Sequence, residues 1–98
     1  MSNPKIKDIK VALIGCGAVA EQFHLPSLKK MKVNVTHCID LDINRATHLA
    51  NKLKSNPITY YDACINDFNA AIISLPHNLH ANISIDLLKK GKHVLVEK

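Results

Sequence analysis

Tryptophan is missing from this chain of 98 residues, aromatic side chains make up 4% of it, and Arg45 is its one arginine. That scarcity removes the stacking platforms and guanidinium forks by which proteins read nucleic acids, so no nucleic-acid partner is expected. No apolar run approaches the ~20 residues needed to cross a bilayer. The N-terminal MSNPKIKDIK also lacks the apolar centre of a signal peptide. A cytoplasmic protein without a membrane partner is the expectation. Cys16, Cys38 and Cys64 are widely spaced, with no CxxC and no paired Cys/His spacing of the zinc type. They read as small hydrophobes in a reducing compartment, and no metal site is expected. Internal repeats, low-complexity segments and linkers are missing as well.

What remains is the composition of a folded domain, with 47% hydrophobic and 21% charged residues. One domain over residues 1–98 is expected, burying roughly 60 to 70% of its unfolded surface. The formal charge of +5 rests on lysines in three clusters, at 29–32, 52–54 and 89–92. Each cluster falls at the end of a helical pattern, where cations complement the negative pole of the helix dipole.

Apolar, strand-like runs occupy 11–14, 33–39, 58–61, 70–75 and 93–96. Helical patterns lie between them. The first, over 18–31, puts Val19, Phe23, Leu28 and Met31 at helical spacing and is interrupted by Pro26, which predicts a kink or a two-part helix. The second opens after Asp42 as N-cap, with Ile43, Ala46, Ala50 and Leu53 on one face. The third begins near Asn78, carries Leu79, Ile83 and Leu87, and closes at Gly91. The segment 62–67 supplies at most one short turn. Continuous apolar strands alternating with helices predict an α/β, doubly wound parallel sheet of Rossmann type, with strand order 3-2-1-4-5.

Three stretches carry chemistry. In KVALIGCGAVAEQFH, Gly15, Gly17 and Ala20 form G-x-G-x-x-A between a strand and a helix. Gly15 suits a tight turn, Gly17 lets a diphosphate approach the backbone, and Ala20 lets helix and strand pack closely. The helix N-terminus then offers free N–H groups to the anion. Asp40 lies 25 positions beyond Gly15, at the tip of the second strand. There a carboxylate accepts hydrogen bonds from ribose hydroxyls and repels a 2′-phosphate, which favours NAD over NADP. Helix capping is the competing role. Asp42 is better placed for it, which leaves Asp40 free for the ribose. Arg45, just beyond the strand, is a counter-indication, because an arginine there can accommodate the extra phosphate. In IISLPHNLH the fourth strand ends beside the point where the sheet order reverses. Pro76 fixes the exit there, and His77, Asn78 and His80 start the next helix, with local capping by Asn78 as the alternative reading.

Together these residues resemble the N-terminal domain of the Gfo/Idh/MocA oxidoreductases, the group of glucose-fructose oxidoreductase and inositol dehydrogenase. IGCGAVAEQFHLPSL is similar to the family's glycine loop with its later His-x-Pro, and IDLDINRATHLANKL to its second strand, acid and helix. SLPHNLHA resembles its Thr-Pro-x-x-x-His segment, and GKHVLVEK its Gly-Lys-His-Val-hydrophobic-x-Glu-Lys strand. The resemblance implies diphosphate contacts from Gly17, Ala18 and Val19 and ribose contacts from Asp40. It places Ser74, Leu75, Pro76, His77 and His80 on the nicotinamide side with Glu97, and makes Lys98 the catalytic lysine that assists proton transfer at the oxidised hydroxyl. Leu75 stands where the family usually has threonine, and His77 where it often has asparagine. It also implies a sugar, cyclitol or related polyol substrate, met only with a second domain that would follow the Glu-Lys pair, and a homo-oligomeric parent. On this reading the chain is cut after its fifth strand and does not turn over alone. A non-catalytic sensor or scaffold module on the same fold is the alternative. An S-adenosylmethionine site would share the loop and the acid but gives Lys98 no role.

Overall fold

The computed structural model describes residues 9–96, apart from the side chain of His77. The apolar runs form five parallel strands: β1 (Lys10–Ile14), β2 (Asn34–Ile39), β3 (Asn56–Ile58), β4 (Ala70–Ile73) and β5 (His93–Val96). Their order in the sheet is β3-β2-β1-β4-β5, the doubly wound order expected. β1 is central and pleated, so its successive side chains face opposite ways. Leu13 enters one apolar cluster with Ala20, Leu28, Cys38 and Leu49, while Ala12 and Ile14 enter a second with Phe68, Ile73 and Leu87. Both faces of the sheet are therefore covered, which is why the strands read as unbroken apolar runs. No helix among the described residues is long and apolar enough to cross a membrane.

The first helical stretch departs from simple periodicity. Residues Ala20–His24 form a π-helical turn, in which the Leu25 N–H donates to the Ala20 carbonyl, and continue into α1 (Leu25–Lys30). Pro26 has no N–H to give back to the preceding turn, so the two-part helix follows from its chemistry. The wider turn also shifts the helical phase of the residues beyond it. Of the four residues at helical spacing Leu28 is buried, whereas Val19, before the turn, and Phe23 and Met31, in and after it, are 48%, 65% and 57% exposed, and Ala20 and Leu25 are buried in their place.

The next elements adjust the expected boundaries. α2 (Ile43–Leu53) is capped by Asp42, whose carboxylate accepts from the Asn44 N–H at 3.0 Å. It buries Ala46, Leu49 and Ala50 and leaves Ile43 exposed. β3 starts earlier than the apolar pattern suggests, and Tyr61 belongs to a 3₁₀ turn, Tyr61–Cys64. Pro57 is tolerated in β3 because that strand is at the edge of the sheet. α3 (His77–Lys89) ends at Gly91, which takes the left-handed conformation with φ +79°. Lysines close the helices, with Lys29 and Lys30 in the last turn of α1, Lys52 in that of α2 and Lys89 in that of α3.

A polar clasp fixes α3 to the 3₁₀ turn. The Tyr61 hydroxyl donates to Asp86 Oδ2 at 2.5 Å, and the Lys90 ammonium reaches Asp86 at 2.9 Å and Asp62 at 3.0 Å. The Tyr61 and Lys90 bonds hold the Asp86 carboxyl below the usual carboxylate range, and Asp86 then Asp62 hold Lys90 above its ordinary value. Burial first, then Asp86, pushes the Tyr61 phenol up.

Two outcomes are expected. A Cβ on Gly15 would lie 2.3 Å from the Ser74 carbonyl oxygen, and Gly15 already has φ +96°. Gly15→Ala should therefore cost about 3 kcal/mol, read by urea unfolding. A cost under about 1 kcal/mol would show that the approach of Gly15 to Ser74, just beyond β1 and β4, is not tight. Since the carboxyl of Asp86 titrates lower when folded, its contribution is complete above the ordinary range near pH 4 and is lost as pH falls through the lowered value. Lys90, raised, keeps its contribution until pH climbs past its raised value. Asp86→Asn should flatten the acid limb of a Tm-against-pH curve, and acid limbs of equal slope would contradict the clasp.

Candidate functional site at the carboxyl ends of the strands

All five strands run the same way, so their carboxyl ends share one edge, and the chain leaves β1 and β4 toward opposite faces of the sheet. A crevice at such a switch point is the expected place for a ligand. Short backbone bonds hold its floor. The Gly15 N–H donates to the Ile39 carbonyl at 2.8 Å, the Ser74 N–H to the Ile14 carbonyl at 2.7 Å, and the Asp40 N–H to the Ile58 carbonyl at 3.2 Å.

Asp40 is more committed than its place in the sequence suggests. Its Oδ2 accepts from the Cys16 N–H at 2.9 Å and its Oδ1 from the Asp42 N–H at 2.8 Å. Asp42 caps α2 as expected, yet Asp40 is not left free, because both of its oxygens tie the glycine loop and the loop after β2 together. Each carboxylate oxygen has a further lone pair, so a hydroxyl can still donate to this fixed group.

Beyond Gly15 the chain turns into a helix, with the Glu21 N–H donating to the Gly17 carbonyl at 3.1 Å. The first N–H groups of such a turn have no intrahelical acceptor and point out of its end. A Cβ built on Gly17 would have room, making only an ordinary contact of 3.9 Å with Arg45 Nη1. The two glycines thus differ, since Gly15 is required by the neighbouring chain and Gly17 only keeps space clear. Cys16 between them is buried, and its thiol donates to the Ile39 carbonyl at 3.5 Å. The neighbouring Cys38, followed by burial, pushes the Cys16 thiol up, so it is no nucleophile.

On the other side, Leu75 and Pro76 lead from β4 into α3. His80 is buried there and is hydrogen-bonded through Nε2 to the Leu75 carbonyl. A carbonyl only accepts, so Nε2 carries the proton. His80 thereby braces the loop that walls the crevice.

The cleft between these walls measures about 430 Å³. It is lined by Gly15, Gly17, Ala18, Val19 and Asp40 on one side and by Ser74, Leu75, Pro76 and His80 on the other. Ala20 is fully buried beneath the loop, where it seats the helix against Leu13. His77 opens α3. Glu97 and Lys98 lie outside the described residues. Arg45, read in the sequence only as a counter-indication, is itself part of the lining.

Sequence reasoning missed a second, apolar hollow of about 160 Å³ that shares Asp40 and Leu75 with the cleft and is walled by Leu41, Tyr60 and Leu79. Leu41 is 82% exposed and Tyr60 52%. Large apolar side chains placed directly after β2 and β3 were the available signal. Behind the glycine loop, Glu21 accepts from Lys52 at 3.0 Å and pairs with His48. Lys52 first, then His48, hold its carboxyl below the usual range. This exposed cluster joins the helix after the loop to α2.

The family model described as "Oxidoreductase family, NAD-binding Rossmann fold" matches residues 9–98. Among curated relatives, the dTDP-3,4-didehydro-2,6-dideoxy-α-D-glucose 3-reductase of Actinomadura kijaniata is 33% identical over 102 residues, covering 100% of this chain and 31% of the relative. A glycosyl hydrolase family 109 protein of Shewanella is 32% identical over 107 residues, covering 96% and 23%. The chain therefore spans less than a third of the length of these relatives. In three dimensions it superposes on a 3-ketoreductase of Actinomadura kijaniata, solved in complex with NADP and TDP-benzene. The TM-score is 0.84 at 33% identity, covering 92% of this chain and 29% of the other. An oxidoreductase of Thermotoga maritima gives a TM-score of 0.83 at 28% identity, covering 92% and 29%. With its switch-point cleft, its glycine loop and a family match over nearly its whole length, the chain belongs to the Gfo/Idh/MocA oxidoreductase family and supplies that family's NAD-binding Rossmann fold.

Proposed function

We propose that this chain binds a nicotinamide dinucleotide across the cleft, as the cofactor-holding portion of an oxidoreductase acting on a hydroxyl or carbonyl of a sugar, cyclitol or related polyol. The observation that carries the reading is a cleft lined both by Gly17, at a helix start where even a Cβ would have room, and by a carboxylate fixed by two backbone N–H groups. Those residues fit the group. The loop from Gly17 to Val19 faces the diphosphate with N–H groups and the helix dipole, Asp40 accepts from ribose hydroxyls, and the apolar hollow beside Asp40 receives the adenine, with Tyr60 at its rim for stacking. Ser74, Leu75 and Pro76 lie toward the nicotinamide, on the loop that His80 braces.

When bound, the nicotinamide supplies the hydride chemistry, while the protein supplies position and electrostatics. Glu97 is assigned to the nicotinamide side. Lys98 is assigned to the substrate, where an ammonium polarises a developing carbonyl and holds or gives up a proton at its Nζ. The names of the sugar-nucleotide reductase and the glycosyl hydrolase among the relatives support a carbohydrate substrate. The substrate is assigned to parts of the longer relatives that this chain does not span, and no turnover by the chain alone is expected. Asp40 favours NAD over NADP.

Calorimetry on the folded chain should detect NAD with a Kd of roughly 0.1 to 1 mM, and a folded sample that binds neither NAD nor NADP would refute the proposal. In Gly17→Ala the added methyl group has room, so stability should change by less than about 1 kcal/mol. Dinucleotide affinity should fall about tenfold, because the diphosphate loses its approach. Unchanged affinity would place the diphosphate elsewhere.

A further inference from the structure

Asp40 and Arg45 both line the cleft, and Asp42, whose N–H donates to Asp40, stands next to Arg45 just outside that lining. Neither carboxylate turns freely. Asp40 is held through both oxygens, and Asp42 through Oδ1 on the Asn44 N–H. The second oxygen of Asp42 faces Arg45, with Nε at 3.8 Å, too far for a hydrogen bond. The two side chains are 63% and 50% exposed. Such a pair orients without locking, and it leaves the head of Arg45 over the glycine loop, where Nη1 is 3.9 Å from a Cβ built on Gly17.

We propose that Asp42 sets the choice between NAD and NADP by holding Arg45 over the loop with its charge compensated; this rests on the proposed dinucleotide binding. A ribose 2′-hydroxyl donates to Asp40 and loses nothing from this arrangement. A 2′-phosphate carries about −1.5 to −2 charges. It meets the fixed carboxylate of Asp40 and an arginine whose charge Asp42 already offsets from behind, so it is rejected. Without the charge of Asp42 the guanidinium is released toward the ribose, and a planar fork with several donors grips a phosphate well. Asp42 is thus a positioning residue that touches no part of the cofactor.

The test compares calorimetric affinities for NAD and NADP in the wild-type chain, in Asp42→Asn, and in Asp42→Asn combined with Arg45→Gln. Asparagine still accepts from the Asn44 N–H and preserves the cap, which an unchanged melting curve verifies. Asp42→Asn should tighten NADP about tenfold and change NAD by less than about twofold, and the gain should shrink at high salt. The double variant should lose the gain. An unchanged NAD-to-NADP ratio in Asp42→Asn, an equal gain in the double variant, or a wild-type preference for NADP would each overturn the proposal. Binding of neither dinucleotide by the folded wild type would instead overturn the dinucleotide binding on which it rests.

Discussion

The backbone of Gly15 passes where a side chain cannot be placed. A Cβ there would fall 2.3 Å from the Ser74 carbonyl oxygen and 2.7 Å from its carbonyl carbon. Much else depends on that approach. It lets β1 and β4 stay neighbours to their last residues while the chain departs toward opposite faces of the sheet. The cleft opens because of that divergence. A positive φ and a near-contact together allow only glycine, and the fold and the cleft therefore share one residue.

Polar groups then fix what the divergence opens. Asp40 shows how a single carboxylate holds one wall of the cleft, since its two backbone N–H bonds tie the glycine loop to the end of β2 and leave each oxygen a further lone pair. His80 does the corresponding work on the opposite wall, where its bond to the Leu75 carbonyl ties the exit of β4 to the first turn of α3. Each wall is thus held by a side chain from the residues that line it.

The two apolar clusters are divided by the sheet, and small residues control how closely each helix approaches. Ala20, Ala46 and Ala50 are buried on one side and Ala12 and Ala71 on the other. Close seating of the helix after the glycine loop brings its N-terminus up to the cleft, so core packing sets the electrostatics of the site. The Tyr61–Asp86–Lys90 clasp anchors the far end of α3 in a comparable way, through polar bonds at the rim of the second cluster.

The strand order, the glycine loop and the switch-point walls were legible in the sequence, because continuous apolar runs, glycines and a strand-terminal acid are local signals with few alternative explanations. The residues facing the core along the first helix were not. Pro26 announced a break, but the π-turn that precedes it leaves Phe23 and Met31 outside, and simple periodicity carries no such shift. Nor did the sequence show that Asp40 is bound by two N–H groups, or that Arg45 and the hollow beside Tyr60 border the same cleft, since those facts depend on which chain ends meet at one edge of the sheet. Period and turn chemistry along the chain dictate the elements and their order. Which polar groups pair across that edge is settled in three dimensions, because pairing depends on distances between segments far apart along the chain.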